Sequence, residues 1–162
     1  MSLVALLLAL AAPPAHAAPG DFDGTWVLDL SASDSMDPLL KAQGVSAMKR
    51  MAAAALVVTQ RITASASSVR LVVESKANNT DNTIAMDGSA HTEKGPAGDI
   101  VARDRWVGNA WVTDSEMSGG AACPCKLTLT RTLEGDVLKQ RFALTTNDGA
   151  SHVMNRVFRR AP

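Results

Sequence analysis

The chain of 162 residues has no tyrosine, and its aromatics come to three tryptophans and three phenylalanines. It has only two cysteines, so no disulfide framework holds it and the fold must stand on an apolar core. Neither sign of charge prevails: 16 Lys and Arg face 16 Asp and Glu, and the pI is near 6.8. That balance leaves no electrostatic footprint for nucleic acid or an anionic membrane as partner. Catalytic and metal-binding signatures are missing too. There is no Gly-rich phosphate loop, no Ser/His/Asp order and no His at ligand spacing from the cysteines. His91 and His152 stand isolated in the sequence. No cofactor and no metal are therefore expected. No apolar run is long enough to span a bilayer; the longest, residues 3–12, reads LVALLLALAA.

That run has a different meaning. Pro13 and Pro14 stop it, and Ala15 and Ala17 then supply the small-x-small pattern of a signal-peptidase site. Residues 1–17 are expected to be a signal peptide cleaved after Ala17, and residues 18–162 one domain, secreted or periplasmic. Such compartments permit disulfides. Cys123 and Cys125 flank Pro124; in a strand they point the same way but lie too far apart for an easy bridge. A proline bend allows a strained local one, with free thiols as the alternative. Neither a helix N-terminus nor a His is near to stabilise a thiolate, so no redox role is expected. Asn78-Asn79-Thr80 is a glycosylation sequon, meaningful only in a eukaryotic secretory route.

Past residue 18 the apolar period is mostly two. Phe22, Trp26, Leu28 and Leu30 share one face of an extended run. Leu56, Val58 and Ile62 share another, and Val69, Leu71 and Val73 a third. In LTLTRTL, Leu127, Leu129, Arg131 and Leu133 alternate with three threonines. Residues 137–144 and 152–158 continue the pattern, with turns at 134–136 and 147–149; Asp-Gly between extended runs is a hairpin signal. The polar stretch 75–101 yields only weak strands near 83–86 and 91–94. Trp106 and Trp111 lie on opposite parities around Gly108-Asn109, so at most one is expected inside. The sum is an antiparallel sandwich or barrel.

Residues 31–55 break this rule. Asp34 or Ser35 suits an N-cap, Pro38 a first turn, and Gly44 a C-cap. Met36, Leu39 and Leu40 repeat at helical spacing, and so do Val45, Met48, Met51 and Ala52, with Lys49 and Arg50 outside. Two short amphipathic helices are expected, each too short to persist unless its apolar stripe docks.

Phe22-x-Gly24-Thr25-Trp26, followed by DSMDPLLKAQGVSAMKRMA over residues 34–52, resembles the opening of the intracellular fatty-acid-binding proteins. Met36-Asp37, Leu40-Lys41 and Gln43-Gly44-Val45 stand where that family has F-D, M-K and L-G-V. Asn82-Thr83 resembles its later N-T, LTRTLEGDVL its strand with an inward Arg, and MNRVFRR its terminal R-x-Y strand. The resemblance runs from about residue 22 to 160. It implies an all-β fold: a ten-stranded antiparallel β-barrel of the calycin type, a β-clam, with a helix-turn-helix lid after the first strand. It also implies a carrier, not an enzyme, for a small hydrophobic or anionic amphipathic ligand such as a fatty acid, acting as a monomer.

Two inward arginines and a tyrosine hold the lipid carboxylate in that family. They map to Arg131, Arg156 and Phe158, so the phenolic donor is gone. Period two agrees independently: Arg131 sits on the leucine face, and Arg156 shares a face with Met154 and Phe158. A cation on an apolar face is costly unless something pairs with it. Either a ligand anion does so, or an internal Asp104, Asp114 or Glu116. Gln140 and Phe142 are expected to line the cavity with Leu138, Met36 and Leu40 to face it from the lid, and Trp26 to plug the closed end. Two other readings stay open: an enzyme using Asp104, Asp114 or His152 inside the barrel, and an interaction module whose core is filled.

Overall fold

The computed structural model describes residues 17–95, 98–117 and 125–162. The signal-peptide expectation over 1–16 and the Cys123-Pro124 dipeptide lie outside them. A single 3₁₀ turn, Pro19–Phe22, leads into β1, Gly24–Leu28. Two helices follow, α1 (Asp37–Ala42) and α2 (Ala47–Ala54). The remaining elements among the described residues are strands: β2 (Thr59–Ala64), β3 (Ser68–Glu74), β4 (Asn79–Ala85), β5 (Asp87–Gly95), β6 (Gly98–Val107), β7 (Ala110–Met117), β8 (Cys125–Glu134), β9 (Val137–Thr145) and β10 (Ser151–Arg160).

All ten strands form one antiparallel sheet in the order β4-β3-β2-β1-β10-β9-β8-β7-β6-β5. It is a meander closed by β1, which pairs β2 on one side and β10 on the other. The two ends, β4 and β5, follow each other in sequence but do not pair, which leaves a seam. Trp106 reaches over from β6 to donate its Nε1–H to Ser65 O at 3.1 Å. This is the ten-stranded, nearly closed barrel expected, with its two helices after the first strand.

Period two explains the wall. Along β9, Leu138, Gln140 and Leu144 are buried while Lys139, Arg141 and Thr145 are exposed. Tight turns set the register. Gly135 adopts φ +59° between β8 and β9, and Gly149 φ +84° between β9 and β10, conformations that a side chain resists.

Two apolar clusters fill different levels of the barrel. The lower one gathers Phe22, Trp26, Leu28, Ile62, Val69, Ile84, Met86, Trp111, Leu138 and Phe158. Trp26 is fully buried there, donates to Phe22 O at 2.9 Å, and carries the Arg160 guanidinium over its ring at 4.2 Å. Truncating such a ring to alanine costs about 3–5 kcal/mol. The upper cluster is Leu39, Met117, Cys125, Leu144 and Met154, with Met36, Ala42, Ile100, Leu127 and Phe142 packed against it. Helix α1 thus sits on the upper level through Met36, Leu39 and Ala42.

The loop after β1 is stitched to β10. Asp34 N donates to Asn155 O at 2.8 Å, and Asn155 N returns a bond to Asp34 Oδ2 at 2.7 Å. Arg50 then ties α2 to α1 through Asp37 Oδ1 at 2.7 Å and Val45 O at 2.8 Å.

Several expectations need correction. Leu30 lies past the end of β1 and is exposed. Helix α1 has only six residues, although Pro38 in its first turn and Gly44 beyond its end, at φ +75°, are as expected. Helix α2 buries none of its residues: Met48 is 78% and Met51 70% exposed, and of that stripe only Val45, ahead of the helix, is buried. The strands β4 and β5 run well beyond the short segments expected. Trp106 and Trp111 are register partners on the same face, and both pack inside. Across a two-residue turn, cross-strand partners differ by an odd number, so opposite parity means the same side.

Candidate functional site

Between the two apolar clusters lies a belt of buried polar side chains, one from each of six strands. Gln60 comes from β2, Asp104 from β6, Thr113 from β7, Arg131 from β8, Gln140 from β9 and Arg156 from β10. Register puts three of them side by side: Arg156 opposes Gln140, and Gln140 opposes Arg131. Each is the inward residue of its strand, flanked two positions away by an apolar one. The belt is therefore a polar level in an otherwise greasy interior.

The two cations meet different environments. Arg131 lies over the Trp111 ring at 3.8 Å. Its NH1 donates to Thr113 Oγ1 at 2.7 Å, and the Thr113 hydroxyl in turn donates to Asp104 Oδ1 at 2.5 Å. Trp111 Nε1 donates to the same Asp104 oxygen at 2.6 Å. One hydroxyl thus links cation to carboxylate. Burial pushes the Arg131 guanidinium down to about 10, against the upward pull of the Asp104 and Glu93 carboxylates. Arg131 Nε and Asp104 Oδ2 are sealed in without a hydrogen-bond partner among the described residues. His91 Nε2 comes within 3.6 Å of that Asp104 oxygen and 3.1 Å of Glu93 Oε1, so His91 is not isolated.

Arg156 is 6% exposed and has no hydrogen bond, ion pair or ring contact among the described residues. Burial lowers its pKa, with no carboxylate among the described residues to oppose it. Of the internal partners expected for the arginines, Asp104 serves Arg131 through Thr113. Asp114 turns outward instead, to Arg105 at 2.6 Å and Thr128 at 2.7 Å, and Glu116 is exposed. The belt holds one compensated cation and one open one.

The remaining candidates divide by level. Gln140 is in the belt and donates Nε2–H to Gln60 Oε1 across the interior at 2.8 Å. Met154, Phe142 and Met36 belong to the upper cluster, and Leu40 is buried in α1 outside it. Phe158 belongs to the lower cluster. Gln60 and Thr113 are the members that sequence reasoning missed. The signal for Gln60 was available, because it lies between Val58 and Ile62 on their inward face. His152 lies outside the belt. Among the described residues no group of three or more His, Cys, Asp or Glu is placed to hold a metal ion. None of their helices is long and apolar enough to cross a membrane.

A nearly closed, ten-stranded antiparallel barrel with two helices after its first strand is a calycin-type fold. More narrowly, it is the fold of the fatty-acid-binding proteins, which are this chain's structural neighbours. The REP1-NXSQ fatty acid transporter is 26% identical at a TM-score of 0.69, over 88% of this chain and 97% of that one. Lipid binding protein 8 of Caenorhabditis elegans, in its apo form, is 18% identical at 0.77, over 91% and 100%. The Schistosoma mansoni fatty acid binding protein in complex with arachidonic acid is 19% identical at 0.71, over 87% and 96%. No family model matches the chain, and no curated protein matches it by sequence.

Proposed function

We propose that the protein is a non-catalytic carrier for a fatty acid or a similar anionic amphipathic lipid. The head group sits at Arg156 in the belt, and the tail runs along the upper apolar cluster beneath α1. The observation that carries this reading is Arg156 itself, only 6% exposed and with no partner for its guanidinium among the described residues. A lone buried cation is destabilising, and a carboxylate beside it gives charge-assisted, often bidentate hydrogen bonds. Met154, Phe142, Leu144 and Leu39 offer apolar surface to an acyl chain, whose burial contributes about 0.8 kcal/mol per methylene. Arg131 stands at one remove: Asp104 balances its charge through Thr113, which leaves Arg156 as the cation open to the head group.

Three structural neighbours described as fatty acid transporter, lipid binding protein and fatty acid binding protein support this reading at the level of a lipid carrier. The carrier is exported as a monomer, with the leader removed after Ala17. Mass measurement of the protein recovered from its own compartment checks this, since the mature chain would begin at Ala18.

Displacement of a fluorescent fatty acid by hexadecanoic acid and by hexadecan-1-ol tests the carrier reading. The acid should bind at least tenfold more tightly, because only it supplies an anion. Equal affinity for the two would refute a head group held at Arg156.

A further inference from the structure

The bridge between Gln60 and Gln140 engages only one polar atom of each amide. Gln140 Nε2 donates to Gln60 Oε1, and among the described residues neither side chain makes another hydrogen bond. Gln140 Oε1 therefore remains an acceptor, and Gln60 Nε2 remains a donor. Neither atom is sealed by packing in the way that Asp104 Oδ2 and Arg131 Nε are. Both residues are nonetheless more than nine-tenths buried. Turning both amides over exchanges the roles of the two residues but leaves the same complement, one amide nitrogen and one amide oxygen wholly unengaged.

This complement lies beside the head-group position. Gln140 is the register partner of Arg156 on the adjacent strand, and side chains paired in that way have Cβ atoms about 5 Å apart. A carboxylate at Arg156 thus brings the first few carbons of its chain past the two amides. An unsubstituted acyl chain presents only methylenes there and leaves both amide groups unmet. A hydroxyl is donor and acceptor at once, so one such group on those carbons satisfies Gln140 Oε1 and Gln60 Nε2 together.

Building on the carrier reading above, we infer that Gln60 and Gln140 form a second polar subsite, selecting an anionic lipid that bears a hydroxyl close to its carboxylate. The ligand class is a hydroxy fatty acid or an acyl compound with an equivalent donor and acceptor near the head. Arg156 holds the charge, and the amide pair reads the substituent.

The test compares hexadecanoic acid with 2-hydroxyhexadecanoic and 3-hydroxyhexadecanoic acid by titration calorimetry, on the wild type, Gln60→Met, and the double variant Gln60→Met/Gln140→Met. The readout is the ratio of affinities within each protein. At least one hydroxy acid should bind the wild type about tenfold more tightly than the plain acid, the effect of one to two net hydrogen bonds. The ratio should fall towards one in the double variant and partway in Gln60→Met. Should the double variant fail to fold, the wild type and Gln60→Met decide. Plain-acid binding with no preference for either hydroxy acid overturns the subsite and leaves the carrier reading standing. A preference that survives both substitutions overturns the assignment to these amides. Failure of all three acids to bind overturns the carrier reading, and the subsite with it.

Discussion

Replacing Arg156 by methionine should move stability and binding in opposite directions. In the free protein Arg156 is 6% exposed, burial lowers its pKa, and no described residue meets its guanidinium, so its charge carries a desolvation cost that no described protein group offsets. Methionine has nearly the same reach, is unbranched, and adapts to the space left beside Met154 and Phe158. The free protein should therefore gain about 1 kcal/mol or more, a rise in Tm of roughly 2–4 °C for a chain of this size. Binding should respond the other way. Loss of charged hydrogen bonds to a carboxylate costs about 1.5–3 kcal/mol, or roughly 10- to 150-fold in Kd. A residue serving only the fold would show the reverse pair of effects. Thermal melts of the ligand-free protein and titration with hexadecanoic acid on the same preparation give both numbers. A variant that melts lower yet binds as tightly as the wild type would refute the reasoning.

Asp104→Asn keeps acceptors for Trp111 and Thr113 but removes the charge balancing Arg131; it should cost about 1–3 kcal/mol in denaturant unfolding. By opening a second cation it should also tighten fatty-acid binding in the same titration. Leu39→Ala empties a position of α1 that is 3% exposed and faces the upper cluster, and should cost about 2–5 kcal/mol, whereas Met48→Ser with Met51→Ser should stay within about 0.5 kcal/mol of the wild type. The Asp29 carboxyl is held at about 2, first by the Ser31 hydroxyl and then by Arg159. A depressed pKa stabilises the fold above the unfolded value of 3.8, and that contribution is lost as the pH falls through about 2. Melting curves of the wild type and Asp29→Asn should accordingly differ at pH 6 and converge near pH 2.

The barrel was legible because its signals are local. Alternation in β8 to β10, the Glu-Gly-Asp and Asn-Asp-Gly turns and the helical spacing of Met36, Leu39 and Leu40 each need only a few neighbouring residues. The inward placement of Arg131 and Arg156 was readable for the same reason. Which of the two is compensated was not. That depends on Asp104 and Thr113, far off in sequence and brought beside Arg131 by the pairing of β6, β7 and β8. Gln60 was passed over because a polar residue in a strand normally marks the outer face, though its neighbours Val58 and Ile62 placed it inside. Helix α2 has the spacing of a docked helix, but Arg50 anchors it by side-chain bonds to Asp37 and Val45, leaving Met48 and Met51 in solvent. The long β4 and β5 carry few apolar residues and owe their extension to backbone pairing with β3 and β6, which composition does not reveal.

A crystal structure of the protein with hexadecanoic acid tests the central claim most directly. The account predicts a carboxylate within about 3 Å of the Arg156 guanidinium, the distance of a charge-assisted hydrogen bond, and an acyl chain passing Phe142 and Met154 towards α1. A carboxylate bound at the barrel mouth or on the outer wall, with Arg156 still unmet, would contradict it.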